Sequence, residues 1–161
     1  MKNTIKLFGI IAFVAVMGFS MASCDDADDD DLNGTWVSSD GSTSMVLNNG
    51  NITELWDNVE ALRGRYTTSG SNITITFTEI NSAALEGEDI GLSPNRWYTE
   101  AQLREAVIQA LVSEGKSQEE AEAMFNENIR DGFFGALTGT ISGNTLTVTM
   151  GDEPTTFTRQ N

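Results

Sequence analysis

Cys24 is the residue of this chain with the most specific chemical setting, because it is the only cysteine and it follows a complete export signal. The signal has a positively charged start, an apolar run over residues 7–19 and two small residues before the cysteine. Crossing a hydrocarbon core takes roughly 20 apolar residues, so the run is too short for a permanent membrane helix. The pattern predicts that residues 1–23 are a signal peptide, and a lone thiol excludes an intrachain disulfide.

The four residues Met21-Ala22-Ser23-Cys24 resemble the lipobox of bacterial lipoproteins, in which one aliphatic and two small residues lead into a cysteine. The resemblance implies that diacylglycerol is attached to the Cys24 thiol, that the chain is cut before it, and that the new amino group is often acylated. Two acyl chains hold a protein stably on a membrane. We therefore expect an exported, lipid-anchored protein of the bacterial cell envelope, facing the periplasm or the cell surface. The alternative is a secreted protein with an unmodified cysteine.

Six aspartates lie within residues 25–31, and with Cys24 this segment forms a predicted acidic tether over residues 24–31. Without the signal the chain carries seven basic and 24 acidic residues, a net charge of −17. This charge argues against binding to nucleic acid or docking on anionic lipid, and it would steer a cationic protein partner toward the chain. The acidic run lacks the shaped loop of a calcium site, so no metal is expected.

The side chains required for several kinds of catalysis are missing from the sequence. It has no histidine, which excludes Ser-His and Cys-His nucleophiles and histidine-bound zinc, and it has no glycine-rich phosphate loop. Hydrolysis by paired carboxylates requires two acids roughly 5–10 Å apart. Glu54 alone lies in a predicted strand on the parity of apolar neighbours, and we expect it to face solvent or to pair with Arg63 or Arg65. The sequence predicts neither an enzyme nor a cofactor.

From Leu32 onward, apolar and polar residues alternate between turn signals, a pattern typical of antiparallel strands. Asn48-Asn49-Gly50-Asn51 predicts a tight hairpin, because Asn-Gly favours two-residue turns. Threonines alternate with Ile73, Ile75 and Phe77, which places the apolar residues on one face of a strand. About eight strands are predicted, five before and three after a break, over residues 34–37, 44–47, 52–56, 62–67, 72–80, 133–141, 146–150 and 155–159.

The alternation stops between the fifth and sixth predicted strands. Residues 81–98 have a loop-like composition, and two capping boxes follow, Thr99-Glu100-Ala101-Gln102 and Ser117-Gln118-Glu119-Glu120. Each box precedes apolar residues at helical spacing, and the two predicted helices end near Gly115 and Gly132. The sequence therefore predicts a two-helix insertion, about residues 98–131, within one domain that covers residues 32–161.

Eight sequential antiparallel strands can close into a barrel without exposed edges. Gly34-Thr35-Trp36 on the first strand and Arg159 on the last resemble the G-x-W signature and the late arginine of lipocalin-like (calycin) barrels. The resemblance covers residues 32–80 and 133–160. It implies that Trp36 plugs the closed end and that Arg159 packs across its indole. The expected fold is mainly β, an eight-stranded antiparallel lipocalin-like barrel with an inserted two-helix segment.

A lipocalin-like barrel implies binding of a small apolar or amphipathic ligand at its mouth, under the helices. One alternative is that the same side chains only fill a solid core. Another is that the helices and the acidic residues 86–89 contact a cationic protein, as in an adhesin or an enzyme inhibitor. The candidate ligand-lining residues are Trp56, Tyr66, Phe77, Trp97, Met124, Phe125 and Phe134.

Overall fold

The computed structural model describes residues 32–85, 92–150 and 153–160. The predicted signal peptide, Cys24, the acidic tether and the acidic residues 86–89 lie outside the described residues. In chain order the elements are β1 (Gly34–Ser38), β2 (Thr43–Asn48), β3 (Asn51–Trp56), β4 (Val59–Ser69), β5 (Asn72–Asn81), a 3₁₀ turn (Ser82–Leu85), β6 (Trp97–Thr99), α1 (Glu100–Ser113), α2 (Gln118–Phe125), a π-helix (Asn126–Phe134), β7 (Ala136–Ser142), β8 (Thr145–Met150) and β9 (Glu153–Arg159).

Eight of these strands close into an antiparallel barrel, which confirms the predicted architecture. Strands β1 to β5 pair in sequence, β5 pairs with β7 across the helical segment, and β7, β8 and β9 continue the ring. Closure occurs where β9 returns to β1, with Trp36 opposite Arg159 and Ser38 opposite Phe157. The two ends of the described chain therefore meet on neighbouring strands.

The short strand β6 lies outside the ring and pairs with the last residues of β5, with Asn81 opposite Trp97. The prediction of a loop throughout residues 81–98 is therefore wrong at its C-terminal end. Three residues are too few for an alternating pattern to identify a strand, and their pairing depends on a partner distant in the sequence.

Alternation along the strands separates the barrel interior from its outer face. On β5, Ile73, Ile75 and Phe77 are buried, whereas the threonines between them are exposed. The hairpin predicted between β2 and β3 is confirmed, because Asn49 and Gly50 have φ values of 49° and 79°. Such left-handed residue pairs form the two-residue turns whose twist matches that of the strands.

Gly64 lies where β4 and β5 approach too closely for any side chain. The pairing of these strands shifts register between Arg63 and Gly64. A Cβ atom on Gly64 would overlap the Thr76 carbonyl oxygen and would lie 2.7 Å from Phe77 Cα. Both neighbours are backbone atoms, so relief of the overlap requires the strands to move apart.

Gly64→Ala is therefore expected to lower the free energy of unfolding by about 1–3 kcal/mol, the usual cost of overpacking a well-ordered core. Gly132→Ala is the matched control, because a Cβ atom there meets nothing within 4 Å, and its effect should stay within about 0.5 kcal/mol. Equilibrium urea unfolding measures both variants. Equal midpoints for the two would contradict the close approach of the strands.

Both predicted capping boxes are present. The Thr99 hydroxyl accepts a hydrogen bond from the Gln102 backbone N–H, and the Gln102 side-chain oxygen accepts one from the Thr99 N–H at 3.1 Å. Ser117 and Glu120 make the same reciprocal pair at the start of α2. Each box satisfies two backbone donors that the first turn of a helix leaves free.

The second helix differs from its prediction, because α2 ends at Phe125 and the chain continues as a π-helix to Phe134. Within this transition the Asn128 side-chain amide donates to the Met124 carbonyl oxygen at 2.8 Å. The prediction that a strand begins at Phe133 is wrong, and β7 begins at Ala136. The spacing of Phe133 and Leu137 fits the alternation of a strand, but Phe133 lies in the π-helix.

The barrel has two different ends. Because neighbouring strands are antiparallel, the connections at residues 39–42 and 57–58 lie at the same end as the segment between β5 and β7. We call this the covered end, and we call residues 100–134 the helical cover. The opposite end, which we call the plugged end, carries the start of β1 and the turn at residues 49–50.

Candidate functional site

The plugged end is closed by Trp36, whose side chain is 0% exposed. Its indole Nε1 donates to the Leu32 carbonyl oxygen at 3.1 Å. The Arg159 guanidinium carbon lies 5.8 Å from the centroid of the Trp36 ring, and Arg159 Nη2 donates to the Asn33 carbonyl oxygen at 2.6 Å. Gly34 has a φ of +143°, and a Cβ atom there would lie 3.3 Å from Arg159 Nε. The structure thus brings Gly34, Trp36 and Arg159 together.

Arg159→Met is expected to lower the free energy of unfolding by about 1–2 kcal/mol. The variant keeps the alkyl stem but loses both the cation–π contact with Trp36 and the charged hydrogen bond to Asn33. Arg65→Met removes an exposed arginine from β4 and serves as the control, with an expected effect within about 0.5 kcal/mol. Urea unfolding that ranks the two variants equally would argue against a stabilising role for the Arg159 contacts.

Six of the seven predicted ligand-lining residues belong to the core or pack against it. Tyr66, Phe77 and Phe125 are 3% exposed or less. Trp56, Met124 and Phe134 are partly buried against the same core. These side chains fill the interior in this structure, so a ligand would have to displace some of them.

Trp97, the seventh predicted lining residue, lies elsewhere. It is on β6, and the Arg63 guanidinium carbon lies 3.8 Å from the centroid of its ring. Arg63 also pairs with the exposed Glu60 at 2.6 Å. Trp97 therefore contacts the outer face of β4, which separates it from the barrel interior.

Trp56 and Phe133 connect the helical cover to the barrel. Trp56 is the last residue of β3, and Phe133 lies in the π-helix. Their ring centroids are 5.9 Å apart and their planes are inclined by 41°. Both side chains are only partly buried, so this aromatic pair lies where the core meets solvent.

Glu54 lies two residues further into the barrel than Trp56, and it is 2% exposed. Its Oε1 atom accepts a hydrogen bond from Trp56 Nε1 at 2.6 Å. The residues opposite it on the adjacent strands are Met45 and Leu62, both apolar and buried. Within the described part of the chain, Glu54 Oε2 and the Tyr66 hydroxyl have no hydrogen-bond partner.

Burial in this apolar setting raises the pKa of Glu54 from 4.5 to about 7, and the hydrogen bond from Trp56 lowers the pKa by less than burial raises it. The expectation that Glu54 faces solvent or pairs with Arg63 or Arg65 is therefore wrong. Arg63 forms its ion pair with Glu60 instead, and Arg65 is exposed on β4. The parity that Glu54 shares with its apolar neighbours turns its side chain inward with theirs.

Sequence reasoning missed two members of this site. The sequence predicts Phe133 within a strand, and it predicts that Glu54, considered first as an acid for hydrolysis, faces solvent or pairs with an arginine. For Glu54 the signal was its position between Ile52 and Trp56 on the inward parity of β3. Carboxylates are usually solvated because burying a charge is costly, and this favours the interpretation of Glu54 as an exposed acid.

Two shallow grooves lie on the barrel wall, outside this site. The larger, about 330 Å³, lies between β5, β7 and β8 and is lined mainly by threonines. The smaller, about 230 Å³, follows β3 and β4 near Arg63 and Arg65. Neither groove includes Glu54, Trp56 or the helical cover.

In the described ranges, no helix combines the length and the hydropathy needed to span a bilayer. The same residues contain no group of three or more cysteine or acidic side chains placed to hold a metal ion. Comparison with protein-family models, with curated proteins and with solved structures finds no match. The described residues thus form a closed antiparallel β-barrel that has a helical cover and a buried carboxyl group.

Proposed function

We propose that this protein is a lipid-anchored lipoprotein of the bacterial cell envelope whose lipocalin-like barrel binds a small, largely apolar ligand. The observation that supports the proposal is the difference between the two ends of the barrel. Trp36 seals the plugged end and is completely buried, with Arg159 packed on it. The covered end is closed by side chains from separate segments of the chain, some fully buried, such as Phe125, and others only partly buried, among them Trp56 and Phe133.

Ligand entry in this proposal takes place at the covered end. The interior is filled, so the helical cover has to move before a ligand can replace its side chains in the core. Met124, Phe133 and Phe134 contact the core while remaining partly exposed, whereas Leu103 and Phe125 of the same cover are buried in it. Opening therefore begins at the partly exposed side chains, because segments with less buried apolar surface open at a lower free energy. An apolar ligand would restore the apolar contacts that these side chains lose when the helical cover opens.

A fluorescence titration tests ligand binding. The probe is N-phenyl-1-naphthylamine, which is uncharged at neutral pH and emits strongly only in apolar surroundings, added to the purified chain without its signal peptide. We expect saturable binding of one probe molecule per chain. Phe133→Ala should speed probe association by removing half of the aromatic pair, whereas Val112→Ala, at an exposed position of α1, should not.

Native mass spectrometry of protein purified from membranes provides the second measurement for this proposal. A small molecule bound to the protein would support it. The proposal is wrong if the probe shows no saturable signal and no lipophilic molecule accompanies the purified protein.

The proposed membrane attachment leads to a separate prediction. Cys24→Ser should abolish incorporation of labelled palmitate and should move nearly all of the protein from the membrane fraction to the soluble fraction, because the attachment depends on acyl chains at this residue. Ser23→Ala is the matched control, since it keeps a small residue before the cysteine and should leave labelling unchanged. Equal labelling of the wild-type and Cys24→Ser proteins would refute the lipid anchor.

A further inference from the structure

We infer that the barrel interior beneath Trp56 is a binding site for the ammonium group of a small apolar amine, with Glu54 as counter-ion. The inference rests on the proposed function, because it names the chemistry of the ligand that the barrel would take. It concerns the polar end of that ligand, whereas the proposed function concerns its apolar body.

Two buried polar atoms in the core lack a hydrogen-bond partner within the described part of the chain. Glu54 Oε2 and the Tyr66 hydroxyl are both inaccessible to solvent, and among the described residues neither makes a hydrogen bond. Leaving a buried polar atom unpaired costs about 1–3 kcal/mol, so two such atoms are a substantial loss for a small domain. Leucine and phenylalanine at these positions would fill similar space without this cost.

The two unpartnered groups lie at different depths of the interior. Glu54 and Tyr66 lie on the adjacent strands β3 and β4, and Glu54 is opposite Leu62. Tyr66 follows Leu62 by four residues, which places its Cα atom roughly 13 Å nearer the plugged end. Glu54 is therefore nearer the covered end, where a ligand would enter, and its carboxyl group is the one that the head group of a small ligand would meet.

The surroundings of the Glu54 carboxyl group favour a cationic ligand. Glu54 has one donor, Trp56 Nε1, and its neighbours across the strands, Met45 and Leu62, offer neither charge nor hydrogen bonds. A buried carboxylate is stabilised most by a cation that also donates hydrogen bonds, and an alkylammonium group has three donors. An alcohol has one donor and no charge, so it satisfies the site less well.

The charge of the whole molecule favours the same ligand class. The chain has 24 acidic and nine basic residues, so the potential around it is negative and raises the local concentration of cations. Met45, Leu62 and the Trp56 ring around the carboxyl group are apolar, which suits an amine with a hydrophobic body rather than a hydrophilic one.

The test uses a matched pair of competitors for the fluorescent probe described above. These are 2-phenylethylamine and 2-phenylethanol, which share a body and differ in the charge of the head group. We expect the amine to displace the probe at concentrations about tenfold lower than the alcohol requires, at about pH 8, where Glu54 is ionised. Glu54→Gln keeps an acceptor for Trp56 but removes the charge, and it should abolish this preference. Tyr66→Phe removes the other unpartnered polar atom, which lies deeper in the barrel, and should leave the preference unchanged.

The outcomes separate this inference from the proposed function. Probe binding with equal competition by amine and alcohol, or a preference that survives in Glu54→Gln, would overturn the amine site and leave apolar ligand binding intact. Where the probe does not bind, the indole N–H resonance of Trp56, assigned with Trp56→Phe, reports on the amine directly. A shift of this resonance with the amine in the wild type but not in Glu54→Gln supports the site, and no shift refutes it.

Discussion

Replacing Trp36 with alanine is expected to lower the free energy of unfolding by about 3–5 kcal/mol, the largest effect of any single substitution considered for this barrel. The side chain is completely buried, so the variant loses its transfer free energy and leaves a cavity at the plugged end. It also leaves the Leu32 carbonyl oxygen without its indole donor and removes the ring on which Arg159 packs. Equilibrium urea unfolding measures the change as a shift in midpoint at constant slope.

Trp97→Ala is the control for this prediction, because it removes the same kind of side chain from a partly exposed position. Trp97 lies on β6 and contacts Arg63 on the outer face of β4. The substitution should cost only roughly 1–2 kcal/mol, from lost apolar burial and the contact with Arg63. A Trp36→Ala variant no less stable than Trp97→Ala would show that the plugged end contributes little to the barrel.

Glu54→Gln is expected to stabilise the protein increasingly as the pH rises. Burial raises the pKa of Glu54 in the folded state to about 7, against 4.5 in an ordinary setting. Below pH 4.5 both the folded and the unfolded states hold the proton, so the carboxyl group contributes no pH-dependent penalty. Between pH 4.5 and about 7 only the unfolded state loses the proton, so the wild type loses stability as the pH rises. Above about 7 the full penalty, about 3 kcal/mol, is present.

The measurement is the free energy of unfolding of Glu54→Gln minus that of the wild type, at about pH 5 and about pH 8. This difference should increase by about 2.5 kcal/mol between the two conditions, because glutamine does not titrate and a small part of the penalty is already present at about pH 5. Taking the difference removes the contribution of the other acids of this strongly charged chain. Glu105→Gln, at an exposed position of α1, is the matched control and should give the same difference at both pH values. A flat difference for Glu54→Gln would mean that the carboxyl group is hydrated in the folded protein.

Local patterns predicted the elements whose stability depends on neighbours in the sequence. Asn49-Gly50 forms the expected hairpin turn because the left-handed backbone it requires is a property of those two residues. The boxes at Thr99 and Ser117 begin helices because each cap bonds to a residue three positions away. Alternation on β5 correctly separated the buried isoleucines from the exposed threonines.

The errors occurred where a distant part of the chain decides the outcome. Strand β6 exists because Trp97 lies opposite Asn81, a pairing that three residues cannot signal by themselves. Phe133 lies in the π-helix, and its ring packs against Trp56, 77 positions earlier in the sequence. Spacing alone did not distinguish this helical position from the strand that begins at Ala136.

The alternation of residue types is enough to predict strands with one apolar face on either side of a helical pair, and such strands can bury those faces by closing into a barrel. The same alternation puts Glu54 on the inward side of β3. The loss of water from this carboxyl group depends on the folded barrel, because Met45 and Leu62 flank it on adjacent strands and Phe133 packs over Trp56 beside it. The hydration of a charged side chain depends on everything packed around it, and that information is distributed over segments that meet only in the folded barrel.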